Sequence, residues 1–258
     1  MALDFFELRR EMLMEERAKR SRPDSVSVSQ ARAEPLQLPE TCPLRKEKAR
    51  VSPQRLDGLD VWYAPEFIDE DEENSLLSTL DPDESWVRVR GRSLLRFGGP
   101  AGSADFVLEP LPLFVASVAD AASGFVGVCL NHCLVNSYAP GEGIMAHTDG
   151  PAYDHVTATL SCGQDRLVYF AKRLRPAQVG TPLDTGPVAS VLLRRRSLLV
   201  FKNDAYIHHT HEIEPTKLEV VGTKAPCINL RLAEAHEGDQ IPVVARRLSF
   251  TLRRAKAD

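Results

Sequence analysis

The sequence predicts a mainly β fold with supporting helices: a double-stranded β-helix, or jelly roll, of α+β content. Three observations lead there. Strand-like runs dominate from residue 128 to the C-terminus. Two helical segments precede them and suit the role of buttresses for a sheet. The chain, 258 residues with 43% hydrophobic and 26% charged, is large enough for one well-filled domain plus extensions.

In chain order, residues 1–20 carry Phe5, Leu8 and Met12 at helical spacing among charges of both signs, which predicts a short amphipathic helix docked on its own domain. Residues 21–57 are rich in Ser, Pro, Arg, Lys and Glu and read as a flexible linker. The folded domain is expected over residues 58–258. Its first strand is Val61, Trp62 and Tyr63, and a helix follows from Asp69, a suitable cap before an acidic first turn, to about Leu80. A second helix is expected over residues 113–122, after Pro112 and ending near Gly124. Strands are then expected over residues 128–138, 156–162, 166–171, 188–193, 198–201, 228–232 and 247–253, with a turn at Pro140 and Gly141. Such a fold can hold a metal in its mouth, lined by residues from separate strands.

Three stretches have two readings each. Residues 86–99 place four arginines among apolar residues, as an exposed hairpin or as a surface that contacts phosphates and stacks a base. Arg194, Arg195 and Arg196 read as a solvated turn or a contact patch. The long insertion between His211 and Arg247 calls for internal structure or a functional role, and is expected to shape the substrate entrance.

Composition excludes several classes. No apolar run is long enough to cross a bilayer, and Asp4, Glu7 and Glu11 interrupt what would have to be a secretory signal, so cytoplasm or nucleus is expected and no membrane partner. Five cysteines without regular spacing argue against a disulfide framework. Cys129 and Cys133 flank His132, but a structural zinc site needs a second close pair, so they are read as buried small hydrophobes. A net charge of −4 gives no global positive field for nucleic acid. A monomer is expected.

The chemistry is concentrated in two places. On an extended backbone His147 and Asp149 point the same way and can approach one ion together, with Thr148 facing elsewhere. Two imidazoles and one carboxylate on one face of a metal leave positions open for a co-substrate and O2, the arrangement of mononuclear iron(II) oxygenases. The second imidazole would come from the histidines at 208, 209 and 211. In residues 247–253, alternation sends Arg247, Ser249, Thr251 and Arg253 to one face and Leu248, Phe250 and Leu252 to the other. Two guanidiniums on one face suit a dicarboxylic acid, each gripping a carboxylate through paired hydrogen bonds. The alternative is an edge strand with a solvated basic face.

Asn136-Ser137-Tyr138, His147-Thr148-Asp149, His211 and Arg247-x-Ser249-x-Thr251-x-Arg253 occur in this order, and together they resemble the AlkB family of iron(II)- and 2-oxoglutarate-dependent dioxygenases. The likeness covers residues 58–258, and residues 136–145 and 196–200 look most like the branch called AlkB homologue six. The resemblance implies Fe(II) on His147, Asp149 and His211, with His209 as runner-up for the last. It implies 2-oxoglutarate held by Arg247 and Tyr138 at its far carboxylate, and by Arg253, Asn136 and Ser249 at the metal end, with O2 as the other co-substrate. The implied reaction is oxidative demethylation or hydroxylation of an alkylated nucleic acid or a protein. Ser249 stands where the family has Asn, keeping a donor and an acceptor on a shorter side chain. Pro151 stands where members that repair bases carry an acidic residue, so the likeness does not name the substrate. From another class comes a non-catalytic jelly-roll binding module that works through the Arg-rich segment and the N-terminal helix.

Overall fold

The structure, a computed structural model, describes residues 43–46, 48–80, 86–101, 107–173 and 186–256. The amphipathic helix expected over residues 1–20 and the linker up to residue 42 lie outside the described residues. The later part of that linker already packs on the domain: Leu44 is buried, and Lys48 and Arg50 pair with Asp69 and Glu72.

Fourteen strands and three helices are seen among the described residues. The larger sheet joins β1 (Gln54–Arg55), β2 (Val61–Ala64), β10 (Leu198–Lys202), β7 (Tyr153–Cys162), β14 (Arg247–Ala255), β5 (His132–Tyr138), β4 (Arg92–Phe97) and β3 (Val87–Val89), in that order. The smaller sheet joins β6 (Ile144–His147), β11 (His209–Ile213), β8 (Arg166–Lys172) and β9 (Pro187–Leu193). Helices α1 (Glu70–Thr79) and α2 (Leu113–Val126) cover the outer face of the larger sheet, and α3 (Asn203–Ile207) links β10 to β11.

Helix α1 starts where its residues dictate. Asp69 accepts from the Glu72 backbone N–H at 2.8 Å while the Glu72 side chain accepts from the Asp69 N–H at 3.0 Å, a reciprocal capping box. Helix α2 runs past Gly124, where its end was expected. Val126 continues the packed face, and Gly127, at φ 81°, supplies the left-handed residue that closes the helix through a bond to the Ser123 carbonyl.

The two faces of β14 explain the architecture. Leu248, Phe250 and Leu252 enter the core beneath the helices with Phe114, Val115, Val118 and Leu160. Arg247, Ser249, Thr251 and Arg253 therefore face the smaller sheet. β14 lies between β7 and β5, and its two arginines are 1% and 5% exposed, so a solvated edge strand is excluded. A second core, with Tyr63, Tyr138, Val168, Phe170, Val191 and Phe201, fills the space between the sheets.

The strand expected over residues 228–232 is a series of turns. Its β-like residues serve another purpose, because the Asn229 side chain accepts from Leu192 N–H and donates to Leu192 C=O, at 2.9 Å each, and so pairs the free edge of β9 as a strand would. The insertion between β11 and β14 forms the hairpin β12 (Leu218–Val220) and β13 (Gln240–Pro242), and its Val221, Ala225, Ala233 and Ala235 pack on Leu167, Tyr169 and Leu192. It covers the back of the smaller sheet rather than the metal side expected for an entrance loop, and the buried pair Arg166–Glu219, 2.7 Å apart, ties it down.

One of the two remaining ambiguities resolves. Arg194, Arg195 and Arg196 form the β9–β10 turn and pair with Asp165, Glu73 and Glu66, a structural network. Residues 87–97 form a hairpin on which Arg88, Arg90 and Arg96 are exposed, whereas Arg92 is buried.

Candidate active site

The site is assembled where the two sheets face each other. β6 and β11 run antiparallel with His147 opposite His211, and their ring centres are 4.2 Å apart. After β6 the chain turns at Gly150, φ 83°, and Asp149 enters from that turn, 3% exposed. One ligand-capable atom from each of His147, Asp149 and His211 lies within 4.8 Å of the others, and among the described residues no other group of His, Cys, Asp or Glu clusters in this way. His209, two residues from His211, points instead to Asp204, with Nδ1 3.2 Å from its backbone carbonyl. The structure thus brings together the three residues singled out from the sequence and leaves the runner-up outside.

The protonation states suit a cation. His147 Nδ1 sits 2.9 Å from the Met145 carbonyl, which can only accept, so Nδ1 carries the hydrogen and the Nε2 lone pair is available. Burial, with His211 alongside, pushes His147 down to about 3, and burial also lowers His211; both rings are neutral at physiological pH. Burial would raise the Asp149 carboxyl, but the Arg253 guanidinium, by its charge and by its hydrogen bond, outweighs it and holds the group ionised, far below the usual carboxylate value. Phe201 and Phe170 flank the His211 ring, at 4.9 and 6.4 Å between centres.

Beside this triad lies the polar face of β14. Arg247 donates from Nη2 to Ser161 Oγ at 3.0 Å and stands 5.5 Å from the Tyr138 ring centre, while its Nε and Nη1 are buried with no hydrogen-bond partner among the described residues. Arg253 donates from Nη2 to Asp149 at 2.5 Å and lies over the Tyr153 ring, and its Nε and Nη1 are likewise buried and unpartnered. Burial lowers the Arg247 guanidinium only to about 10, so it remains charged. A buried cation with two idle donors is costly, and an anion placed between the sheets would satisfy both arginines. Ser249, 2% exposed, stands opposite Asn136 on β5 and Ser161 on β7. Asn136 accepts from Arg92 Nε at 2.8 Å. All eight residues expected at the site thus fall in the triad or on the face of the larger sheet that meets it.

Sequence reasoning missed the residues that hold Asp149 in place. Thr157 Oγ1 donates to its second oxygen at 2.5 Å, and Tyr206 Oη donates to the Gly150 carbonyl at 2.9 Å. Thr157, Thr159 and Ser161 alternate along β7 with the apolar residues between them, which was a readable sign that this strand turns a polar face to a pocket. Of the other candidates, His132 is buried with Nε2 3.2 Å from the Gly99 carbonyl and Cys133 is buried as expected, but Cys129 is exposed and so is not the buried small hydrophobe the sequence suggested.

The residues present fit the cation and the dianion that the motifs imply: a neutral-neutral-anionic donor set for a divalent metal, and idle guanidinium donors for carboxylates. The family model described as the 2OG-Fe(II) oxygenase superfamily matches residues 103–253. The chain belongs to that superfamily and, within it, to the AlkB family. It is 33% identical over 200 residues to "Probable RNA/DNA demethylase ALKBH6" of Danio rerio, covering 75% of this chain and 84% of that protein. It is 25% identical over 193 residues to the tRNA (carboxymethyluridine(34)-5-O)-methyltransferase alkbh8 of Xenopus tropicalis, 67% of this chain and 28% of that longer protein. It is also similar to the solved structure of OsALKBH1, at 14% identity and a TM-score of 0.49, over 78% of this chain and 99% of that one. The protein is an Fe(II)- and 2-oxoglutarate-dependent dioxygenase that uses O2, and nothing favours the non-catalytic binding module.

Proposed function

We propose that Fe(II) is held by His147, Asp149 and His211, that 2-oxoglutarate lies between the sheets with its far carboxylate on Arg247 and Tyr138, and that the enzyme removes methyl groups oxidatively from nucleic acid bases. The observation that carries the ligand part is the pair of buried guanidiniums, Arg247 and Arg253, each with two nitrogens that lack a hydrogen-bond partner among the described residues, next to a three-residue metal group. When bound, the iron would supply oxidation of a substrate C–H bond by O2, with 2-oxoglutarate converted to succinate and CO2 and an oxidised N-methyl group lost as formaldehyde.

The chain's own residues supply placement and charge. Asp149 stays ionised because Arg253 and Thr157 occupy it, and the two half-buried imidazoles stay neutral because the pocket desolvates them. Arg253, bound to Asp149, stands at the metal end with Asn136 and Ser249, while Arg247 stands near Tyr138 for the far carboxylate. Phe170, Phe201 and Tyr206 exclude water from the His211 side. The assignment of a nucleic acid substrate is supported by the name of the Danio rerio relative and by Arg90 and Arg96 exposed on the β3–β4 hairpin, where they can meet phosphates.

The test is a panel of methylated oligonucleotides and histone peptides incubated with Fe(II) and 2-oxoglutarate and read by mass spectrometry. The expected result is loss of 14 Da (one methylene, roughly) from an oligonucleotide together with succinate, and neither from His147→Ala. Turnover confined to peptides would overturn the substrate assignment, and unchanged turnover in His147→Ala would overturn the ligand assignment.

A further inference from the structure

We propose that Arg92 is a positioning residue for 2-oxoglutarate, acting through Asn136; this rests on the reading that Asn136 faces the co-substrate. Arg92 opens β4, directly after the tight turn at Gly91. Leu94 is opposite Asn136 in the ladder, so Arg92, two residues earlier, shares the face on which Asn136 lies. It is 5% exposed. Its Nε donates to Asn136 Oδ1 at 2.8 Å, and among the described residues it forms no ion pair.

A carboxamide has two ends of nearly equal shape and opposite polarity, so something must decide which faces the ligand. A guanidinium nitrogen can only donate, which fixes the Asn136 oxygen toward Arg92 and turns the NH2 group inward. There its contact with Thr251 Oγ1, at 3.4 Å, is long and weak, leaving the amide hydrogens free for a carboxylate. Without Arg92 the amide can rotate and present its oxygen to that carboxylate, which repels it. Charge points the same way. Among the described residues Arg253 pairs with Asp149 whereas Arg247 and Arg92 have no acidic partner, so the pocket wall is left positive where a dicarboxylate would lie. Holding the hairpin is not reason enough for a buried arginine, since the β4–β5 ladder, the bond from Gly143 N–H to the Gly91 carbonyl and the Arg88–Glu142 pair already anchor it.

The experiment is calorimetric titration of 2-oxoglutarate into the full chain loaded with Mn(II), for the wild type, Arg92→Met, Arg92→Lys, Asn136→Ala, the Arg92→Met/Asn136→Ala double variant and Arg247→Met. Arg92→Met is expected to raise the Kd about tenfold with Mn(II) affinity unchanged, and Arg92→Lys, which still donates only, to recover most of the loss. The double variant is expected to bind little worse than Asn136→Ala alone. Should Arg92→Met fail to fold, Arg92→Gln takes its place in the same comparison. Wild-type affinity in Arg92→Met, or losses that multiply in the double variant, would overturn the inference while leaving the site reading intact. A wild type that does not bind 2-oxoglutarate, or Arg247→Met binding as the wild type does, would overturn the site reading and this inference with it.

Discussion

Thr157 shows how a residue outside the motifs can govern the site. Its hydroxyl occupies one oxygen of Asp149 while Arg253 occupies the other, so the carboxylate is fixed in orientation and kept ionised in a buried setting. Thr157→Val keeps the shape and removes the donor. Groups that orient a ligating side chain typically matter by about ten- to a hundredfold in metal affinity, so the variant should bind Mn(II) weaker by about that factor, with little change in fold by circular dichroism. Unchanged Mn(II) affinity would mean that Arg253 alone orients Asp149. At this scale the sequence was legible only in part. His147 and Asp149 could be paired because two residues apart on an extended backbone share a face, although β6 ends at His147 and Asp149 enters from the turn that follows. Neither Thr157 nor Tyr206 could be assigned a task, because each meets the Asp149 turn only after β7 and α3 have been packed beside it. The choice between His209 and His211 was likewise open on spacing, since both lie on one face of β11; the register with β6 decides it by setting His211, not His209, opposite His147.

Among elements, β14 was the most legible, because strict alternation of arginines and hydroxyls with leucines and phenylalanine permits only one way of burying it. What alternation could not reveal was that the strand is central, with its arginines enclosed by a second sheet. The strand expected over residues 228–232 failed for a related reason: its β-propensity reflects burial against β8 and β9, and burial does not require a ladder. β6 was missed because it is four residues long and follows a glycine-rich turn. That turn sets the height of His147. A Cβ on Gly143 would come within 2.3 Å of the Ile213 carbonyl and 2.8 Å of Pro215 N, both backbone atoms of the segment that begins with β11. Gly143→Ala should therefore push β6 away from β11, lowering stability by about 1–3 kcal/mol in urea unfolding and weakening Mn(II) binding by separating the two histidines. An alanine variant as stable as the wild type would show that the β6–β11 register is set elsewhere.

For the whole molecule, the arrangement follows from the need to place a divalent cation and a dianion side by side away from water. The larger sheet presents a polar inner face; the smaller sheet contributes the two histidines; the helices and the β12–β13 insertion bury the outer faces of the two sheets. The fold class was legible from the density of short strands, and the order of the motifs along the chain matched their convergence in space. The net charge of −4 carried no information about the site, since the positive charge that matters there is a local set of buried arginines. The most direct test of the central claim is Mn(II) stoichiometry, measured calorimetrically on the metal-free protein and on four alanine variants. The account predicts one ion per chain for the wild type and for His209→Ala, and none bound with comparable affinity by His147→Ala, Asp149→Ala or His211→Ala. Tight binding by His211→Ala, or its loss in His209→Ala, would contradict it.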